Sequence, residues 1–153
     1  MDRAVLFLCT GNYFRSRYAE LAFNHAAERA GLAIRATSYG LAVERGSKNV
    51  GPMARVAVER LTAHGIASPE FCRMPAQVTA DQLGAAGRII ALKEAEHRVL
   101  VAERYPQFVH RVEYWNVDDV DCCPAEAALD AIDTLVDALV QAEGLAQASA
   151  RCP

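Results

Sequence analysis

The residues Ala4–Leu8, AVLFL, run without a polar interruption straight into Cys9, Thr10, Gly11 and Asn12. A strand with one wet face alternates apolar and polar side chains. An unbroken apolar run instead fits a strand buried on both faces, as in the interior of a parallel sheet covered by helices on each side. That one stretch narrows the chain to an α/β fold and sets the frame for the rest.

The segments that follow keep to it. A helix is expected from about Ser16 to Ala30, with Leu21, Ala22 and Ala26 on one face and Gly31 as its stop. Leu32–Ser38 reads as a weaker second strand ending in a Tyr39-Gly40 turn. Gly51-Pro52 opens a second helix to about His64, the proline sitting where its missing N–H is harmless, and Gly65 ends it. Residues 66–78, with Pro69 and Pro75, read as irregular, and Thr79 caps a short helical turn. Arg88–Leu92 is a third strand, Lys93–Arg104 a third long helix, and Val109–Trp115 alternates like a fourth strand nearer a sheet edge. After NVDDVDCCP, Pro124 starts a last amphipathic helix to about Glu143, with Leu129, Ile132, Leu135, Val136 and Leu139 on its apolar stripe. The tail from about residue 145 to 153 is expected to fray. Strands alternating with helices imply a parallel sheet with helices on both faces, joined by right-handed crossovers. The 153 residues suit one domain.

Composition narrows the function classes. A net charge of −3 gives no electrostatic case for nucleic acid or an anionic membrane. No apolar run approaches the ~18 residues of a membrane span, and the N-terminus has no secretory pattern, so a cytoplasmic location is expected. The cysteines at 9, 72, 122, 123 and 152 fit no zinc spacing and read as reduced thiols. No metal or cofactor is expected.

In such sheets ligands bind at the carboxyl ends of strands, beside helix N-termini. The loop after the first strand, CTGNYFRS from Cys9 to Ser16, is built for an oxyanion. Successive backbone N–H groups at a helix start form an anion cradle. Gly11 and Asn12 are the residue types that best tolerate the left-handed backbone a tight cradle needs. The helix N-terminus and Arg15 both favour a thiolate at Cys9, the nucleophilic form. Ser16 can donate to that sulfur, and Arg15 offers a planar fork for two oxygens of a phosphoryl group. The chain holds 14 Arg and 2 Lys, so a bare Cys-x5-Arg arises easily by chance. Strand, Gly-Asn, Arg-Ser and helix in register do not, and together they mark Cys9 as a nucleophile.

This loop resembles the C-x5-R-S phosphate loop of the low-molecular-weight protein tyrosine phosphatases and the related thioredoxin-coupled arsenate reductases. The likeness extends through Ser38-Tyr39-Gly40, Gly51-Pro52 to Ile66, and the late acidic loop. It implies a three-layer α-β-α sandwich with a four-stranded parallel sheet of the phosphotyrosine phosphatase I type. It also implies metal-independent hydrolysis through a cysteinyl-phosphate. Residues Thr10, Gly11, Asn12, Tyr13, Phe14, Arg15 and Ser16 would bind the phosphate. The expected partner is a phosphorylated protein (phosphotyrosine) or a small phosphomonoester, with the oligomeric state open.

Phosphoryl transfer to a thiol needs a proton donor for the leaving oxygen and later a base for water. Asp118, Asp119 and Asp121 all qualify by position. In the family the acid precedes a proline, with a tryptophan upstream in some members. Registering Trp115 on that pattern selects Asp119, with Val120 in place of the proline. Other departures bear on substrate and redox chemistry. Phe14 stands where many relatives carry a second loop cysteine, and Lys93–His97 holds no thiol, which disfavours arsenate reduction. Cys122 or Cys123 could resolve an oxidised Cys9. A redox enzyme using those thiols, and a phosphate- or phosphopeptide-binding module with a weak acid loop, are the two alternatives. The usual aromatic walls are missing from AVERGSKNV and VDCC, leaving Tyr13, Phe14 and Tyr39 to line the mouth and Arg45 and Lys48 to charge its rim. The histidines receive no role.

Overall fold

The computed structural model describes residues 4–120 and 123–151. Four strands, β1 (Val5–Cys9), β2 (Ala36–Gly40), β3 (Arg88–Ala91) and β4 (Val112–Tyr114), form one sheet in the order β2-β1-β3-β4. Every pairing is parallel. Helices α1 (Arg15–Arg29), α2 (Arg55–Ala63), α3 (Ala80–Ala85), α4 (Glu94–Arg104) and α5 (Ala125–Arg151) cover both faces. The architecture is the three-layer sandwich that the sequence implies.

The apolar first strand is fully buried, as an inner strand must be. Its alternation divides two cores. Val5, Phe7 and Cys9 pack with α1, α2 and α5, while Leu6 and Leu8 pack with Leu83 of α3 and Leu100 and Val101 of α4. The carboxyl ends of β1 and β3 therefore lie side by side.

Several boundaries differ from expectation, each for a visible reason. β2 begins at Ala36 rather than Leu32. Gly31 turns with φ +71°, Leu32 N–H bonds back to Ala27 O, and Asn24 holds both backbone groups of Ala36. Helix α2 starts at Arg55, not at Pro52, because the preceding residues are committed to the Cys9 loop: Ala54 N–H donates to Tyr13 O and Pro52 O accepts from Arg17. Residues Pro106–Arg111 wind as a 3-10 turn ahead of a short β4, with the Arg111 guanidinium on the carbonyls of Leu83 and Ala86. The segment expected to fray is helical to Arg151. It is rich in helix-forming alanine, and Gln147 accepts from Ala33 N–H at 3.3 Å. Thr79 caps α3 in a reciprocal box with Gln82.

Candidate active site

Cys9 ends β1 and Arg15 begins α1, so the five residues between them carry the chain around the carboxyl edge of the sheet. The turn is made by Asn12, at φ +52°, while Gly11 has ordinary backbone. Only one of the two expected residues is left-handed. Asn12 is fully buried, and all its polar capacity is used. Its Nδ2 donates to Ser16 Oγ (2.9 Å) and Ser38 Oγ (3.0 Å), and its Oδ1 accepts from Arg73 Nη1 and Ala76 N (both 3.2 Å). Among asparagine's few rivals for that backbone, none brings these four bonds. Gly40 is required by proximity: a Cβ there would meet Thr10 O at 2.9 Å and Val43 Cγ2 at 2.5 Å. That close approach lets Leu41 N–H and Ala42 N–H hold the carbonyls of Cys9 and Thr10.

Cys9 is 3% exposed, with Sγ 3.0 Å from Ser16 Oγ. Because Ser16 Oγ accepts from Asn12 Nδ2, its own hydrogen is available to the sulfur. Asn12, Ser16 and Cys9 thus form one connected chain of polar contacts that ends on the sulfur. Among the described residues no protein acceptor takes the backbone N–H groups of residues 11–14. Such unmatched donors at a helix start are what an oxyanion satisfies.

Arg15 is 2% exposed. Its Nη1 and Nη2 bond Oε2 and Oε1 of Glu96 end-on, at 3.1 and 2.9 Å. Nη1 also donates to Val117 O (3.1 Å), and Nη2 lies 3.4 Å from Asp119 Oδ2. A guanidinium has five N–H donors in a rigid plane. With four of them assigned this way, the edge shared by Nε and Nη2 is the one turned toward Asp119 and the cavity.

Glu96 and His97 escaped the reading of the sequence. His97 is fully buried, and its Nδ1 accepts from Lys93 N–H at 3.0 Å. Burial depresses its basicity, outweighing the help of Glu96. The neutral ring therefore carries its proton on Nε2, which lies 3.2 Å from Thr10 Oγ1. The Thr10 hydroxyl in turn donates to Glu96 Oε1. His97, Arg15 and Thr10 together hold the Glu96 carboxyl far below the usual carboxylate range. The signal available was positional. Glu96 lies in the first turn of the helix after β3, the strand next to β1, but that adjacency is a property of strand order rather than of local pattern.

A cavity of about 140 Å³ gathers Cys9, Gly11, Tyr13, Phe14, Arg15, Asn49, Ala54, Asp119 and Val120. Of the expected acids, Asp119 lines it, Asp118 is ion-paired with Lys93, and Asp121 lies outside the described residues. Tyr13 lines the cavity and donates from its hydroxyl to Val50 O at 2.6 Å, tying down the 47–53 segment. Phe14 is largely core, 6% exposed, but reaches the cavity wall. Tyr39 does not line it; it packs in the other core, 6.0 Å from the Arg73 guanidinium. Arg45 and Lys48 are exposed and absent from the wall, where Asn49 stands instead. Cys123 is half-buried with Sγ 3.7 Å from Asp118 O, and Cys122 lies outside the described residues. Arg17, another residue without a signal in the sequence, is fully buried and binds the carbonyls of Pro52 (3.0 Å) and Glu70 (2.7 Å). No group of metal-binding side chains occurs among the described residues, and no described helix is long and apolar enough to cross a membrane.

A thiol, an arginine and a run of unbonded backbone N–H groups thus meet at the carboxyl edge of a doubly covered parallel sheet. Residues 4–122 match the family described as low molecular weight phosphotyrosine protein phosphatase, and the chain belongs to that family of cysteine-dependent phosphatases. Solved structures share the fold. YfkJ from Bacillus subtilis is 24% identical with a TM-score of 0.77, covering 93% of this chain and 94% of its own. YwlE arginine phosphatase from Geobacillus stearothermophilus is 22% identical at TM-score 0.76, covering 98% of each chain. Vibrio vulnificus Wzb, solved in complex with benzylphosphonate, is 17% identical at TM-score 0.76, covering 92% of this chain and 99% of its own. A comparison with curated proteins finds no match.

Proposed function

We propose that the protein is a protein tyrosine phosphatase in which Cys9 is the nucleophile, Arg15 and the N–H groups of residues 10–16 bind the phosphoryl oxygens, and Asp119 is the general acid. The observation that carries this reading is the convergence of Cys9, Arg15 and Asp119 on one small cavity with Tyr13 and Phe14 in its wall. The Cys9 thiolate attacks phosphorus, forming the S–P bond as the P–O bond to the leaving group breaks. The Asp119 proton passes to the leaving oxygen. Water then attacks the cysteinyl-phosphate and gives its proton to the Asp119 carboxylate, and the S–P bond breaks to release phosphate and the thiolate.

Two features favour an aryl leaving group. Tyr13, Phe14, Ala54 and Val120 give the wall apolar surface, and among the described lining residues Asp119 is the one carboxylate. A phosphoarginine side chain, the kind of substrate named for YwlE, would ask for a further acidic partner. Wzb, by contrast, holds an aryl-methyl phosphonate. The test is steady-state hydrolysis of phosphotyrosine peptides, phosphoarginine peptides and small alkyl phosphates, without added metal. Phosphotyrosine is expected to give the highest kcat/KM, with none of the three turned over by Cys9→Ser. Preference for phosphoarginine would overturn the substrate assignment, and activity in Cys9→Ser would overturn the mechanism.

A further inference from the structure

Among the described residues Arg15 is the one cation lining the cavity, yet it meets two carboxylates. Their roles differ by geometry. Asp119 lies on the Nη2 corner at 3.4 Å and faces the cavity, a place an arriving phosphoryl oxygen must take. Glu96 lies on the opposite edge and does not line the cavity. It takes the two terminal nitrogens together, at 3.1 and 2.9 Å, leaving the Nε–Nη2 edge for substrate.

We propose that Glu96 is a positioning residue: supported by Thr10 and His97, it clamps the end-on face of Arg15 and so fixes the side-on fork toward the phosphoryl group. This rests on the phosphatase reading above. The clamp is built from three directions. His97 is fixed by the Lys93 backbone at the start of α4, its Nε2–H reaches Thr10 Oγ1, and the Thr10 hydroxyl reaches Glu96. Thr10 follows the nucleophile in sequence, so one chain of bonds ties α4, the cradle and the arginine. Val117 O, from the segment after β4, takes the remaining outer N–H of Nη1 and closes the guanidinium against rotation. Two opposing effects then separate in a single variant. Removing the Glu96 charge leaves Arg15 less neutralised, which favours bound phosphate. Removing the clamp lets the fork turn away from the geometry of the transition state, which lowers the chemical rate.

The experiment is Glu96→Gln, compared with wild type in kcat and KM for an aryl phosphate, in inhibition by inorganic phosphate, and in NMR of the Arg15 guanidinium. The expected result is a kcat lower by about 10–100-fold, the scale of a misplaced reacting group, with phosphate inhibition unweakened or tighter. Arg15 Nη–H signals that are resolved in wild type should average in the variant. Thr10→Val, which removes the hydroxyl between His97 and Glu96, should lower kcat in the same sense by a smaller factor. A Glu96→Gln enzyme with wild-type kcat, or one losing kcat and phosphate binding equally with its Arg15 signals unchanged, would overturn the proposal. A wild-type protein without turnover would break the phosphatase reading instead, while the NMR comparison would still decide the clamp.

Discussion

The two loops that meet at the cavity are built in opposite ways. The cradle from Thr10 to Ser16 is packed beneath two other segments, with Asn12, Arg15 and Ser16 each no more than 2% exposed. Its key side chains are bonded at nearly every donor and acceptor. The segment carrying Asp118 and Asp119 is open: their side chains are 45% and 39% exposed, and Val120 is among the exposed large apolar residues. The contrast fits the chemistry proposed for each. A nucleophile and its oxyanion donors act by staying where they are, since preorganised dipoles cost nothing to reorient during reaction. A general acid must exchange protons with the leaving group and with water, so it has to reach solvent.

Substitutions in the two loops should therefore fail differently. Asp119→Asn is expected to lower kcat by about 10²–10⁴, yet to shift stability by no more than about 0.5 kcal/mol, since the amide keeps the shape of a half-exposed side chain. Asp118→Ala, which removes its pair with Lys93, should stay within about threefold of wild-type kcat, since a half-exposed pair is worth little. If Asp118→Ala falls as far as Asp119→Asn, the register taken from Trp115 is wrong. Asn12→Ala should do the reverse of Asp119→Asn. It leaves Ser16, Ser38, Arg73 and the Ala76 N–H short of a partner, for a loss of about 2–4 kcal/mol in chemical denaturation. Asn12→Ala with wild-type stability would erase the distinction between the loops.

The same contrast explains what could be read from the sequence. Cys9, Arg15 and Ser16 were legible because a strand, a turn and a helix start place them by local geometry alone. Asp119 was reachable only through a register on Trp115, whose ring packs on Phe7 with centroids 5.3 Å apart. Glu96, His97, Arg73 and Arg17 were not legible. Each reaches the cradle from another segment or binds across it, so its place depends on which strands are neighbours and on where 3-10 turns fall. The late start of α2 had the same origin: Pro52 and Ala54 look like a helix opening, but their backbone groups are spent on Arg17 and Tyr13. Gly11 and Asn12 looked equivalent as residue types, and only the buried partners of the Asn12 side chain decided between them.

In the proposed reaction Cys9 carries the phosphoryl group between the two steps. Rapid quenching of the enzyme during turnover of an aryl phosphate, followed by mass spectrometry of its peptides, tests this directly. One added phosphoryl group is expected on the peptide holding Cys9, absent from Cys9→Ser. Turnover with no such adduct, or with the phosphoryl group on another residue, would contradict it.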